Sequence, residues 1–291
     1  MPTRRSVSQL TLAPLTDVDI GALAATAIAI AAYRTRSLDL GGAVAAIAVG
    51  TATYAALGFA GAVVLVTFFA SSVALSRVGK RRKTTLLIDV AKTGPRDAAQ
   101  VFANGGVATA CALAALWLDA RYAVGFAGAF AAATADTWGT EIGTLARGMP
   151  RSILTFRPIA TGLSGGITRV GTFAEVAGAI AIAGVAVVAN LAASGAAGTH
   201  EHAHAHAHAS ALRLAVAVAT GGFAGALADS LLGASVQARR WCPQCERATE
   251  REPHGCGANT APLRGLSWFG NDAVNFTATL VGASVARTLA R

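Results

Sequence analysis

Residues 40–76 run for 37 positions without Asp, Glu, Lys or Arg, and residues 98–118 and 176–200 form further uncharged runs of 21 and 25. A helix that crosses a bilayer needs about 20 mostly apolar residues. The apolar stretches are continuous rather than alternating, which argues against a transmembrane β-barrel. The pattern predicts eight spans, at about 18–33, 40–56, 59–77, 98–118, 122–145, 171–193, 211–236 and 267–289. The 40–76 run is too long for one helix, and Gly58 and Gly61 mark the expected break. The first span is short, so seven spans is the alternative count. Residues 20–33 also have some look of a signal peptide, with Ala29-Ile30-Ala31 as a cleavage pattern. Asp17 and Asp19 before the stretch, and Arg34 and Arg36 after it, favour a first membrane helix.

Composition sharpens this picture. The chain has 291 residues, 54% apolar and 13% charged, against about 25% charged in a soluble domain. A soluble enzyme and a disordered chain are both excluded. Much of the apolar content is Ala, Val and Leu, with 32 Gly, and small residues let helices approach closely inside lipid. The expected fold class is all-α, a polytopic membrane helical bundle. Residues 1–17 read as a mobile N-terminal tail and 18–291 as a single membrane domain. Within it lie a basic loop at 77–97, a His-rich linker at 194–210 and a Cys/His loop at 237–266.

Charge orients the bundle. With eight spans, the 77–97, 146–170 and 237–266 loops share one side with Arg34 and Arg36, and that side carries 18 of the 24 Lys and Arg. The positive-inside rule makes it cytoplasmic, in an inner or plasma membrane. The net charge of +9 is then a property of these loops and does not call for nucleic acid. His-Glu-His-Ala-His-Ala-His-Ala-His at 200–208 falls on the opposite side. Alternating His can hold a divalent metal loosely, but the stretch reads as a low-complexity linker with no part in the chemistry.

Polar residues inside spans are costly and therefore informative. Four groups stand out: Asp97, Gln100 and Asn104; Asp136, Thr137, Thr140 and Glu141; Asp229 and Ser230; and Asn271, Asp272 and Asn275. Two groups open their spans and two close theirs, so all four sit at similar depth near the cytoplasmic face. Asp136 and Thr140 share a helix face, as do Gly139 and Gly143, and Asn271 and Asn275. Gly221, Gly225, Asp229 and Gly233 form one stripe. Buried polar glue between helices is the plainer reading of each group alone; convergence at one depth favours a shared cavity.

Asp136, Glu141, Asp229 and Asp272 are the expected catalytic acids, suited to Mg²⁺, which takes a few carboxylates together with substrate phosphates. Lys80, Lys92 and Arg96 suit phosphate groups. Asp97, Asn104, Thr140, Thr168, Asn271 and Asn275 complete the expected substrate and nucleotide contacts. The loop Thr161-Gly162-Leu163-Ser164-Gly165-Gly166-Ile167-Thr168 offers backbone amides for an anion nest. No soluble-type P-loop sequence is present, and no Ser/His/Asp triad is suggested. Cys242-Pro243-Gln244-Cys245 followed by His254-Gly255-Cys256 supplies four ligands for a closed, structural Zn²⁺ site. A reduced thiol loop is the alternative.

These residues resemble the integral membrane family once called domain of unknown function ninety-two, which includes plant phytyl-phosphate kinase and animal transmembrane protein nineteen. The resemblance runs from about residue 40 to 289. It rests on Phe69-Ala70-Ser71-Ser72, on Gly94-Pro95-Arg96-Asp97-Ala98-Ala99-Gln100-Val101 with Asn104-Gly105-Gly106, and on Ala135-Asp136-Thr137-Trp138-Gly139-Thr140-Glu141-Ile142-Gly143. It continues in Gly165-Gly166-Ile167-Thr168 with Gly171-Thr172, in Asp229-Ser230-Leu231-Leu232-Gly233-Ala234, in the Cys/His loop, and in Asn271-Asp272 with Asn275. The Asp-x-x-Gly-x-x-x-Gly pattern at 136–143 is also similar to the acidic motif of dolichol and phytol kinases. The resemblance implies a membrane kinase moving a phosphoryl group from a nucleoside triphosphate, CTP, to an isoprenoid monophosphate. Two other classes remain: a transporter or flippase using the polar groups as a pathway, and a cytidylyltransferase acting on a lipid phosphate. A transporter would tend to hold its site near the midplane.

Overall fold

The computed structural model describes residues 15–86, 94–195 and 203–291. Lys92, most of the N-terminal tail and part of the His-rich linker lie outside the described residues. The helices are α1 (Asp17–Arg34), α2 (Leu40–Arg77), α3 (Lys80–Leu86), α4 (Ala98–Trp117), α5 (Arg121–Gly143), α6 (Arg169–Gly195), α7 (Ala203–Ser235) and α8 (Asn271–Leu289). The start signals are local. Thr16 and Asp19 form a capping box for α1, Asp39 caps α2, and Asp97 with Gln100 forms a capping box for α4. Each satisfies amides that a helix start leaves without partners.

Helix α2 turns back on itself at the expected break. Gly58 has φ 57° and ψ −148°, a conformation that costs glycine little and other residues much. As one straight helix, its 38 residues would span about 57 Å. Instead Arg77 donates to Ser37 Oγ at 3.2 Å, and a Cβ on Gly61 would lie 3.1 Å from Thr53 Cγ2. The halves 40–57 and 59–77 therefore lie antiparallel. Among the described residues, four helices, α2, α4, α6 and α7, contain stretches apolar and long enough to cross a membrane by length and composition; the reversal lets α2 account for two of the expected spans.

Helix α5 is the axis of the bundle and packs against α2, α4, α6, α7 and α8. Residues 125–135 of α5 are all buried, mostly as Ala, Gly and Phe, the signature of a helix surrounded on every side. Small residues set the close approaches. A Cβ on Gly221 of α7 would lie 2.5 Å from the carbonyl oxygen of Gly282 of α8. On Gly282 it would lie 2.7 Å from Ala132 Cβ of α5. The stripe expected on α7 is thus a packing stripe: Gly221 and Gly225 meet α8 and α5, and Gly233 meets Ser164 and Gly165.

The turns at one end are joined to each other. Leu38, between α1 and α2, bridges to Arg96, between α3 and α4. Lys83 of α3 reaches Glu141 of α5. The 144–168 and 236–270 loops also meet there and carry strands that the hydrophobic pattern does not announce. β1 (Arg151–Ser152) pairs antiparallel with β2 (Gly166–Ile167). β3 (Arg239–Cys242), β4 (Arg247–Thr249) and β5 (Ala261–Arg264) form an antiparallel sheet in the order β4-β3-β5.

Candidate functional site

A cavity of about 290 Å³ opens at this loop-rich end. Of the residues expected at the site, Arg96, Asn104, Asp136, Thr140, Glu141, Thr168, Asp229, Asn271 and Asn275 all line it. The four polar groups of α4, α5, α7 and α8 thus meet in one chamber. Lys80, Asp97 and Asp272 are not among its lining residues. Asp97 accepts the Gln100 amide at 2.9 Å and so begins α4. Asp272 sits in the first turn of α8, where the helix dipole favours an acid.

The acids of the chamber fall into two kinds. Glu141 is tied to Lys83, whose Nζ lies 2.5 Å from Glu141 Oε2 and also donates to the Leu75 carbonyl at 2.8 Å. Asp136 and Asp229, by contrast, lie within hydrogen-bonding reach of one another. Asp229 also has a buried oxygen, Oδ2, with no hydrogen-bond partner among the described residues. Two carboxyl groups in contact repel unless a proton or a cation lies between them. Glu175 of α6 adds its charge to this pair.

Glu175 was missed in the sequence, although it is the one acid of α6. Its place depends on Gly139. A Cβ at position 139 would lie 2.5 Å from Glu175 Cγ and 2.8 Å from Oε1, so the glycine leaves the space that the carboxylate fills. Gly143 lies against Gly171 in the same seam. The glycine face of α5 therefore admits an acid as well as a helix.

Arg96 is set by its backbone. Its amide donates to Ser37 O and its carbonyl accepts from Asp39 N, both at 3.0 Å. Burial lowers its guanidinium below the usual range, and the nearby Glu141 carboxylate offsets part of that. Arginine remains cationic under such shifts. Asn104 donates to Gln100 O at 2.9 Å, and Gln100 also lines the chamber. Thr168 accepts the Gly171 amide at 2.9 Å, opening α6 beside the cavity.

The glycine-rich loop expected to offer an anion nest forms a wall of the chamber, and one of its amides is already engaged within the protein. The Ser164 amide donates to Glu250 Oε1 at 2.9 Å, and the Ser164 carbonyl accepts from Arg239 Nη2 at 2.7 Å. Both partners come from the Cys/His loop. Gly165 adopts φ 81° against the start of the Ala234 backbone, where a side chain would collide. Glu250 also lines the chamber. Burial raises its carboxyl above the usual range, while the Ser164 groups, Arg239 and Arg264 pull it back part of the way. Nothing near Glu250 in the sequence signals this role.

The Cys/His loop gathers as its spacing predicts. Ligand atoms of Cys242, Cys245, His254 and Cys256 lie within 4.8 Å of one another, a cluster able to hold a metal ion. Cys242 Sγ lies 3.6 Å from Cys256 Sγ, and His254 Nδ1 lies 3.2 Å from Cys256 Sγ. Metal–sulfur bonds of about 2.3 Å in a tetrahedron require sulfur pairs at about 3.8 Å. Cys242 ends β3 and β4 begins at Arg247, so the Cys-x-x-Cys turn joins the two strands.

Comparison with known proteins agrees with this architecture. Protein PGR of Arabidopsis thaliana is 28% identical over 270 residues, covering 87% of this chain and 89% of that protein. An uncharacterized membrane protein of Methanocaldococcus jannaschii is 30% identical over 209 residues, 71% of this chain and 78% of its own. An uncharacterized membrane protein of Synechocystis is 30% identical over 142 residues, 46% and 54% of the two chains. No solved structure matches. The model of the integral membrane protein DUF92 family matches residues 23–283, and the chain belongs to that family.

Proposed function

We propose that the chain is a membrane phosphotransferase that moves the terminal phosphoryl group of a nucleoside triphosphate to an isoprenoid monophosphate, giving the diphosphate. The observation that carries this reading is the Asp136–Asp229 pair, with Glu175 beside it, facing Arg96 and the glycine-rich loop across one cavity. Acids, a cation and backbone amides around one chamber are the parts that phosphoryl transfer needs. CTP as donor rests on the family resemblance. The basic end faces the cytoplasm by the positive-inside rule, which gives a water-soluble donor access.

The residues fit Mg²⁺. The unpartnered Asp229 Oδ2 and the touching Asp136 carboxyl offer hard oxygen ligands, and Mg²⁺ commonly takes one or two carboxylates, with phosphates and water completing the shell. Once bound, it would neutralise charge on the donor phosphates. Glu175 stands as a further ligand, direct or through water. Glu141, tied to Lys83, and Asp272, outside the cavity lining, are assigned supporting parts. Arg96 and backbone amides of the 161–168 loop would hold phosphate oxygens, and Asn104, Asn271 and Asn275 would orient them.

An oxygen of the acceptor phosphate attacks the terminal phosphorus of the donor. A new P–O bond forms as the bond to the bridging oxygen breaks, and the nucleoside diphosphate leaves with that electron pair. A phosphate monoester has a second pKa near 6, so the acceptor is already an anion and no residue need remove a proton. The chain's task is alignment and charge neutralisation. We assign the Cys/His cluster to a structural Zn²⁺, because four protein ligands leave no open position for a substrate.

The test is an assay of purified protein in lipid nanodiscs, with prenyl monophosphates, Mg²⁺ and either CTP or ATP. Formation of prenyl diphosphate with equimolar nucleoside diphosphate supports the reading. Release of pyrophosphate would replace it with a cytidylyltransferase. Movement of an intact lipid phosphate across the bilayer, without nucleotide turnover, would replace it with a flippase.

A further inference from the structure

We infer that the acceptor's hydrocarbon tail lies in a second, apolar cavity between α1, α2 and α4 and reaches it sideways from the lipid. This rests on the phosphotransferase reading and adds where the lipid binds. The cavity holds about 80 Å³, several times the ~10–15 Å³ that one water occupies. Apart from Arg96, Gln100 and Asn104, its walls are aliphatic, glycine or phenylalanine. Cavities lined this way stay dry and take apolar ligands.

Its polar end identifies the occupant. Arg96, Gln100 and Asn104 line both cavities, so the apolar pocket abuts the polar chamber at a cation and two amides. The ligand that matches both is an amphiphile with an anionic head and a slender apolar chain. A neutral lipid would bring no charge to the Arg96 guanidinium, and a free nucleotide would leave the apolar walls unmatched. Leu38, before α2, and Ala46, Val49 and Gly50 within it all line the cavity, so its walls run along the helix as an extended chain segment would. The outer lip is formed by Ile28 and Val66, which are 42% and 37% exposed on the bundle surface. The tail therefore enters between α1 and the returning half of α2, while the nucleotide enters from the loop end.

The pocket gives the protein a chain-length preference that two substitutions should alter. Ala46→Phe fills it from within. Val66→Trp blocks its lip from a half-exposed position, where a large side chain has room to face lipid. For each, the ratio of kcat/KM for a twenty-carbon over a five-carbon prenyl monophosphate should fall about tenfold, the scale of a few methylenes of lost pocket contact. Leu212→Trp, at a surface position of α7 that is 66% exposed, should leave the ratio unchanged. If neither substitution shifts the ratio, or Leu212→Trp shifts it equally, the pocket is not the tail site.

A binding experiment separates this inference from the reaction. A twenty-carbon prenyl monophosphate with a diazirine at the end of its tail is photolysed with the protein in nanodiscs without nucleotide. Crosslinks within residues 25–69 and 100–105, removed by unlabelled twenty-carbon monophosphate, support the pocket even where no phosphoryl transfer is measured. Crosslinks confined to α6 or α7 overturn the pocket, even where transfer is robust.

Discussion

The amide of Ser164 and the carboxylate of Glu250, 86 residues apart, are hydrogen-bonded at 2.9 Å. The bond joins the glycine-rich wall of the polar chamber to the loop that carries the Cys/His cluster. Arg239 closes the same junction through the Ser164 carbonyl. A metal bound by Cys242, Cys245, His254 and Cys256 would therefore fix more than its own loop. Purified protein should contain about one zinc per chain. Cys242→Ser should lower the zinc content and raise KM for the nucleotide more than it lowers kcat. Loss of zinc with an unchanged nucleotide KM would separate the metal from the chamber.

Glu250 can be tested apart from the metal. Glu250→Gln keeps a side-chain oxygen to accept the Ser164 amide, whereas Glu250→Ala leaves that amide and Arg239 without the carboxylate. The cost of an unmade buried hydrogen bond is about 1–3 kcal/mol. Glu250→Ala should thus lower both thermal stability and nucleotide affinity, with Glu250→Gln nearer to wild type in both. Nucleotide titrations of the two variants, at equal zinc content, make the comparison. Equal losses would mean that charge rather than loop positioning is what matters.

Lys83 and Glu141 form a pair whose side chains are 6% and 20% exposed. Breaking such a pair from one side leaves an uncompensated charge, at a cost of about 3 kcal/mol. Lys83→Met alone should be strongly destabilised, and Lys83→Met with Glu141→Gln should recover part of the loss. Thermal unfolding of the single and double variants in nanodiscs gives the coupling. Additive losses would show that Lys83 is held mainly by the Leu75 carbonyl.

The sequence made the helices legible because lipid demands long uncharged runs, and it marked the reversal of α2 because Gly58 interrupts one. The polar chamber was legible for a related reason: Asp136, Asp229, Asn104 and Asn271 are costly where they stand, so each draws notice. Glu175 escaped because its meaning depends on the space left by Gly139 across a helix interface, which no local pattern contains. Glu250 escaped because it lies in a polar loop where acids are ordinary. Asp97 and Asp272 lie beside chamber residues in sequence but are not among the lining residues: one caps α4 and the other lies in the first turn of α8. The strands around Cys242 were hidden because they are short and paired by loop geometry and not by an alternating pattern.

Orientation in the membrane is open to a direct test. The turns around Arg157 and Arg247 lie at the chamber end, while Ala120 lies between α4 and α5 at the far end. All three positions are exposed. Protease sites inserted after Arg157 and after Arg247 should be cut from the cytoplasmic side of sealed vesicles, and a site after Ala120 only from the other side. Cutting at 157 and 247 from opposite sides would contradict the shared chamber, and cutting of both from outside would reverse the expected access of the nucleotide.

The acids of the chamber provide the most exacting test of the proposed reaction. Asp136→Asn and Asp229→Asn keep the shape and hydrogen-bonding capacity of the pair while removing its charge. If the pair holds Mg²⁺ against the donor phosphates, prenyl-phosphate phosphorylation should fall about 10²-fold or more, the scale of losing one strong electrostatic contact. Glu175→Gln should also lower activity, and raising Mg²⁺ should restore part of it if Glu175 contributes only to metal affinity. Helix packing supplies the contrasting expectation. If Asp136 and Asp229 merely join α5 to α7, the amides would preserve specific activity and any loss would appear in the amount of folded protein. Measuring kcat on monodisperse variant, normalised to folded protein and at saturating Mg²⁺, distinguishes the two. Near-normal turnover in both folded Asn variants would remove the metal assignment, since neither an amide nor the neighbouring Lys83–Glu141 pair could replace the negative charge that each variant lacks at the cation.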